Sequence, residues 1–366
     1  MERVLVRKVG DLQRAVSEAL DFLEHDFKGM RVWVKPNLLA PHPPERSVTT
    51  DPELVRHCVR QLRSRGAAEV HVADNPGGGL AQNIEAYIAP TGVVEASEGT
   101  FQSIAATPVT LKMNSRFAGE IHASRIITEV DVILNLPVFK THSLTLLTGA
   151  VKNLFGIIPG GQKSYLHTLV RNGDEFAELL VDIYQAIPVP VLSIMDALRG
   201  MDGQNGPSGG RVLRLGRILA ARNAVALDSV MAMMAGVSPG SIPTNRIAAE
   251  RGLGPARAED IQIIGDFETI PGFRLPSRRL AGRITGIAAV VAYPFMRRRP
   301  LMRRSLCTCC RRCADNCPAK AISMTPYPAV DRRKCISCYC CAEICPERAM
   351  VVPGLLRGLV QKITGR

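Results

Sequence analysis

No apolar run in the sequence is long enough to cross a bilayer. The longest, ITGIAAVVAYPFM from Ile284 to Met296, has 13 residues, against about 20 for a spanning helix. The opening MERVLVRKVGD has no apolar h-region and no cleavage site, so no secretory signal is expected. Aromatic residues make up 5% of the chain, with a single Trp, which argues against a stacking platform for nucleic acid. Gly (31) and Pro (25) stand near average usage, which excludes collagen-like and low-complexity chains. Cys58 is the only cysteine in the first 306 residues, and no Asp or Glu occurs from Thr269 to Ala314.

What accompanies these two gaps is informative. Ten of the 11 cysteines fall between Cys307 and Cys345. Secreted disulfide scaffolds spread their cysteines along the fold. A Cys-poor body followed by a Cys-dense segment suits a metal site in a reducing compartment, and a cytoplasmic location is expected. The acid-free stretch holds eleven Arg, and without them the formal net charge of +13 falls to +2. The charge is therefore one cationic belt, not a general basicity, and no nucleic-acid partner is expected.

With 46% hydrophobic and 22% charged residues over 366 positions, the chain is of the folded globular type, at roughly 100–200 residues per domain. Strand patterns at Arg3–Lys8, Arg31–Val34, Glu69–Ala73, Asp131–Leu136, Val191–Met195, Arg217–Ala221 and Ile261–Ile264 alternate with helical ones. The helices fall at Asp11–Phe27, after Asp51, at Glu175–Ile187 and at Ala224–Ala235. This alternation implies βαβ units, hence an α/β fold with a mostly parallel, helix-covered sheet. Composition then shifts to Pro, Gly and Arg. The expected division is an α/β domain with a ligand crevice at 1–268, an Arg-rich linker at 269–304, a small ferredoxin-like α+β domain at 305–352 and a basic tail at 353–366.

The most specific motif is an internal repeat. Cys307, Cys310, Cys313 and Cys317-Pro318 fit C-x2-C-x2-C-x3-C-P, and so do Cys335, Cys338, Cys341 and Cys345-Pro346, 28 residues later. In two-cluster ferredoxins the fourth Cys of each run ligates the other cluster. Carried over by position, one cluster takes Cys307, Cys310, Cys313 and Cys345, and the other Cys335, Cys338, Cys341 and Cys317. Two 4Fe–4S clusters are therefore expected. Zinc sites use four ligands, usually as two separated pairs, which two triplets with trailing Cys-Pro do not match. Cys309 and Cys340 fall outside the repeat and read as packing thiols or thiols beside the ligands. Cys58 reads as a buried structural thiol.

In open parallel sheets, ligands bind beyond the C-terminal strand ends. RVWV runs into Lys35-Pro36-Asn37, EVHVA into Asp74-Asn75 and then Gly77–Gly79, DVILNLPVF into Lys140-Thr141-His142, and VLSIM into Asp196. A parallel sheet brings these groups to one edge. Lys140 and His142 are the candidate catalytic residues, as charge stabilisers or proton donors. Lys35, Asn37, Asp74, Lys152, Asn153 and Asp196 are candidate binding residues. TGAVKNLFGIIPGG (148–161) reads as a helix closed by a Gly-rich loop able to face an anion. Its Gly156-x4-Gly161 is followed by Gln162, one residue off the Walker A register. Lys163, His167 and Asp228 read as structural residues, Asp228 as a helix-surface charge.

The runs VKPN (34–37), NLPVFKTH (135–142), TGAVKNLFG (148–156) and MDALRGMDGQNGPSGG (195–210), with the Cys-rich tail, resemble the domain-of-unknown-function 362 family. Its members are often described as uncharacterised iron–sulfur centre proteins, and many carry a ferredoxin module. The resemblance covers about residues 1–265. It implies the architecture and leaves the reaction open.

Three readings fit the Arg-rich 277–304: a linker whose Arg stems cover the large domain, a peripheral membrane contact, or a docking surface for an acidic redox partner. The function expected is an iron–sulfur oxidoreductase or its electron-transfer subunit. It would pass single electrons between a redox partner protein, or a small-molecule donor, and a small anionic substrate or cofactor in the crevice. The alternative is a non-catalytic electron carrier or redox-sensing scaffold that binds a partner protein.

Overall fold

The computed structural model describes residues 1–76, 84–104, 108–159, 162–277 and 299–352. The Gly77–Gly79 loop, Gly160, Gly161, most of the Arg-rich stretch and the tail from 353 lie outside the described residues. The first part of the chain supplies β1 (Glu2–Lys8), α1 (Leu12–Phe22), β2 (Arg31–Pro36), α2 (Pro52–Ser64), β3 (Glu69–Val72), α3 (Ile84–Ile88) and α4 (Val93–Ala96). Next come β4 (Pro108–Lys112), β5 (Glu120–Ser124), β6 (Val132–Leu136), β7 (Val138–His142) and β8 (Leu146–Leu147). They are followed by α5 (Gly149–Asn153), α6 (Gln162–Leu169), α7 (Gly173–Gln185), β9 (Val191–Asp202), β10 (Arg211–Ala221), α8 (Ala224–Met234), α9 (Pro243–Glu250) and β11 (Ile261–Gly265).

Successive strand residues sort to opposite faces of one large sheet, as the pleat requires. Val32, Val34, Val132 and Leu134 pack with α1 and α2 on one side. Trp33 and Ile133 face α7 through Phe176, Leu179 and Leu180 on the other, and Val4, Val6 and Leu219 meet α8 there. Helices cover both faces, so the architecture is α/β. The strand order is β11-β1-β10-β9-β6-β2-β3, with β7 paired to β9 and β8.

The pairs β2–β3, β2–β6, β6–β9, β7–β9 and β1–β11 are parallel. β10 runs against both neighbours. It follows β9 after a connection too short for a crossover, so the two pair as an antiparallel hairpin. Both strands are longer than the apolar pattern suggests. Their ladder runs from Ser193 with Ala221 out to Asp202 with Arg211, through polar residues that the backbone hydrogen bonds hold in line. Asp196, expected beyond a strand end, is therefore inside β9. Pro137, which has no N–H to give a ladder, separates β6 from β7, and its carbonyl accepts from Asp196 N at 2.7 Å.

Helix starts follow side-chain capping. Asp11 accepts from Arg14 N, Asp51 from Glu53 N, and Asn172 from Asp174 and Glu175 N.

The Cys-rich segment carries its duplication in the backbone. β12 (Leu301–Met302) pairs antiparallel with β15 (Met350–Val351), and β13 (Ile322–Thr325) with β14 (Tyr327–Val330). Short helices at Arg312–Asp315 and Cys340–Glu343 follow the second Cys of each run. Left-handed residues recur at Cys309 and Ser337, Arg311 and Tyr339, Lys320 and Arg348, each pair 28 residues apart. Among the described residues, no helix is long and apolar enough to cross a membrane.

Candidate functional site

A cavity of about 570 Å³ lies between the C-terminal ends of β2 and β3 and the Cys-rich segment. That is within the usual size of small-molecule sites, about 300–1,000 Å³. Asn37 and Asp74 from the strand ends, Lys152 and Asn153 from α5, and Lys163 and His167 from α6 line it on the sheet side. Cys317, Lys320, Cys340 and Glu343 line it on the other.

Two candidate binding residues neutralise each other beneath the cavity floor. Lys35 Nζ donates to Asp74 Oδ1 at 2.8 Å, with the side chains 0% and 4% exposed. Burial lowers the Lys35 pKa, and Asp74 opposes that shift. The other Asp74 oxygen accepts from Leu38 N. Gly156 packs directly over this pair, and a Cβ there would collide with Asp74 Oδ1 and Lys35 Nζ. Here the glycine serves close approach, and it sits in the turn Leu154–Ile157 that follows α5.

A row of amides leads away from Lys140. Its Nζ donates to Asn37 Oδ1 at 2.8 Å and to the Val48 carbonyl. Asn37 Nδ2 donates to Asn153 Oδ1 at 2.8 Å, and Asn153 Nδ2 to Asn135 Oδ1 at 2.8 Å. Asn135 Nδ2 then donates to the Ala150 carbonyl. Lys140 is 1% exposed and sits behind the cavity, outside its lining. Burial, with Lys152 nearby, lowers its pKa to about 7. Its acceptors are neutral, so it anchors Asn37 whether or not it holds its third proton.

His142 is also set back, at the end of β7. Its Nδ1 accepts from Leu144 N and Thr145 N, so the ring proton of the neutral form sits on Nε2. That atom approaches Glu343 Oε1 to 2.9 Å, without the alignment of a hydrogen bond. Burial lowers the His142 pKa to about 4. Positive neighbours, His142 first and then Lys152, hold Glu343 below the usual carboxylate range against its own burial. The neutral-pH state is an ionised Glu343 facing a neutral imidazole.

Lys152 and Lys163 are the sheet-side cations of the cavity, with Lys320 on the opposite wall. Among the described residues, Lys152 has no hydrogen-bond or ion-pair partner, and burial lowers its pKa. Lys163 Nζ donates to the Asn75 carbonyl at 2.6 Å, and burial lowers its pKa to about 7. His167 stacks on Phe176, with ring centroids 4.5 Å apart. Lys163 and His167, expected to be structural, thus belong to the wall. Asp196 does not: its oxygens accept from Asp51 N and Leu198 N. Asp228 is buried, not on a helix surface, and accepts from Ala150 N and Val151 N at the start of α5. Burial raises both carboxyls to about 7. Glu343 was not singled out from the sequence, where it lies inside a run read only for thiols.

All the cysteines are free thiols. Cys307, Cys310, Cys313 and Cys345 line one concavity, and Cys309 lines it with them. Burial, then Cys345 and Cys310, push the Cys313 thiol up to about 11. Cys335 has Cys338 and Cys317 as charge neighbours. Cys317 Sγ accepts from Ala321 N and Cys345 Sγ from Ala349 N, both at 3.2 Å. Grouped thiols that resist losing their protons together are relieved by a bound cation. Among the described residues, no group of three or more His, Cys, Asp or Glu side chains is placed to hold a single metal ion. Cys309 and Cys340 differ in setting: Cys340 lies on the cavity wall, hydrogen-bonded to Cys338.

A family model described as "Domain of unknown function (DUF362)" matches residues 32–233. The match begins in β2 and ends in α8, narrower than the expected 1–265, so β1 and β11 lie outside it. The thylakoid-associated protein sll1697 of Synechocystis sp. is 32% identical over 238 residues, covering 63% of this chain and 71% of that protein. A crystal structure of a Thermotoga maritima protein is similar at 14% identity and a TM-score of 0.37, over 58% of this chain and 55% of that one. The lactate racemase apoprotein of Thermoanaerobacterium thermosaccharolyticum is similar at 12% identity and a TM-score of 0.43, over 64% of this chain and 57% of that one. The chain thus spans little more than half the length of these two structures.

Proposed function

The chain belongs to the family described as domain of unknown function DUF362, and from that premise we propose that it is an iron–sulfur redox protein acting on a small anion. In this reading the Cys-rich segment is a two-cluster ferredoxin module. Cys307, Cys310, Cys313 and Cys345 hold one 4Fe–4S cluster, and Cys335, Cys338, Cys341 and Cys317 the other. A cubane takes thiolates at its corners and is a larger body than one ion, which suits the four repeat thiols that share one concavity, with Cys309 beside them. Bound clusters supply one-electron transfer.

The observation that carries the reading is the makeup of one cavity: Cys317 faces the same space as Lys152, Lys163 and Glu343. The lysines bind and orient an anionic group, Lys152 as a cation with no hydrogen-bond or ion-pair partner among the described residues. Asn37 and Asn153 offer amides that the Lys140 row fixes in orientation. Lys163, with its pKa lowered to about 7, holds or yields a proton at neutral pH. A redox partner protein or a small one-electron donor supplies or accepts the electrons, one at a time. The relative's description as thylakoid-associated supports a peripheral position on a membrane surface.

Anaerobic purification tests the reading. The expected result is about eight iron and eight sulfide per chain with reduced-state paramagnetic signals from two centres, and a small anion released on denaturation. In Lys152→Gln the iron content stays and the anion is lost. Colourless protein carrying zinc would end the proposal.

A further inference from the structure

We propose that the exposed tip around Cys310 is the docking surface for an acidic one-electron carrier protein. The inference rests on the cluster reading above and adds where electrons cross between molecules. Cys317, assigned to one cluster, faces the cavity. The other set, which includes Cys310, reaches the surface instead, and Cys310 is exposed. The chain therefore has one cluster at the substrate and one at the solvent.

The surroundings of Cys310 are cationic with an apolar centre. Arg303, Arg304 and Arg311 are exposed beside it in sequence. Leu306 is 41% exposed, one of three large apolar side chains so exposed among the described residues. The Arg304 guanidinium lies 4.6 Å from the Tyr327 ring centroid, which holds it in place. Among the described residues, Arg311 pairs loosely, 3.7 Å from an exposed Asp315. From 299 to 352 the sequence has ten Lys and Arg against four acids, and of these Glu343 is turned inward to the cavity. Charge of one sign around a buried-on-docking apolar residue steers and registers a partner of opposite sign. An anionic bilayer would also welcome the charge, but has no need of a thiol-ligated centre at its middle. An electron carrier does.

The test uses the full-length, iron-loaded chain and its R303E/R304E/R311E variant. Rates of reduction by a reduced acidic [2Fe–2S] ferredoxin are compared with rates from photoreduced deazaflavin, a small neutral donor. Expected is a ferredoxin rate that falls at least about tenfold in the variant and, in the parent, falls with added salt, while the deazaflavin rate and iron content hold. An unchanged ferredoxin rate overturns the proposal, as does an equal loss with both donors. So does loss of binding to phosphatidylglycerol vesicles with the ferredoxin rate intact, which makes the patch a membrane contact. Iron content, measured first, separates the two claims: protein without iron sinks the cluster reading itself, whereas iron-loaded protein indifferent to the charge reversal sinks only the docking surface.

Discussion

His142 Nε2 lies 2.9 Å from Glu343 Oε1, and this approach ties the end of a strand in the large sheet to a helix between two cysteines of the second run. Asn205 and Ser208, on the β9–β10 connection, tie the same two parts together. Asn205 Oδ1 accepts from Val352 N, and the Ser208 hydroxyl donates to the Ala342 carbonyl. The Cys-rich segment is thus seated on the sheet edge by polar contacts, two of them part-buried hydrogen bonds.

Glu343→Ala removes the carboxylate that faces both His142 and Lys152. Removing one side of a buried polar contact typically costs about 1–3 kcal/mol, because the other side stays buried and unsatisfied. The urea midpoint of the whole chain is expected to fall accordingly, and Glu343→Gln to fall less. Equal midpoints for Glu343→Ala and the parent would mean the carboxylate is solvated rather than engaged.

Gly156→Ala places a methyl group against Asp74 and Lys35, both fixed and almost fully buried. Neither can swing out without leaving a charge unpaired, so destabilisation of about 3–5 kcal/mol is expected. Chemical denaturation monitored by circular dichroism reads it.

Cys345→Ser is expected to remove the cluster assigned to Cys307, Cys310 and Cys313, not that of its own run. Iron should drop from about eight to about four per chain. The surviving paramagnetic signal should match that of Cys310→Ser and differ from that of Cys317→Ser. Cys309→Ser is expected to keep both clusters. A match between Cys345→Ser and Cys338→Ser would overturn the crossed assignment.

The pH dependence of stability carries the trace of His167. Burial lowers its pKa from 6.5 to about 4, so between these values the unfolded chain binds the proton and the folded chain does not. Its contribution is complete above pH 6.5 and is lost as pH falls toward 4. Asp196 and Asp228, raised from 3.8 to about 7, act in the opposite sense over the same range. The whole-protein curve therefore mixes signs, and a difference measurement isolates the histidine. His167→Phe, which keeps the stack on Phe176, should be less sensitive than the parent to acidification from pH 6.5 to 4.

The strands and the covered sheet were legible because their apolar residues alternate or run continuously. Legibility failed where hydrogen bonding outlasts apolarity: Asp196 and Asp202 are strand residues whose ladder with β10 hides them. The strand-end rule found Asn37 and Asp74, which face the cavity, but also selected Lys140 and His142, which lie a layer behind it. Period and position cannot tell a first layer from a second when a break such as Pro137 shifts the strand that carries them. Lys163 and His167 read as structural residues because nothing near them in sequence marks a site; it is the Cys-rich segment opposite them that makes their side of the sheet a cavity wall. Glu343 has no local signal at all, since its significance comes from a histidine that is remote in sequence.

Because the strand ends furnish only part of the cavity and Cys317, Lys320, Cys340 and Glu343 close it, the pocket belongs to neither part of the chain alone. During synthesis the sheet residues emerge first, and until the last cysteines have taken their positions there is a groove but no enclosure. Under the proposed reading, capture of a small molecule is thereby deferred until the whole chain has folded.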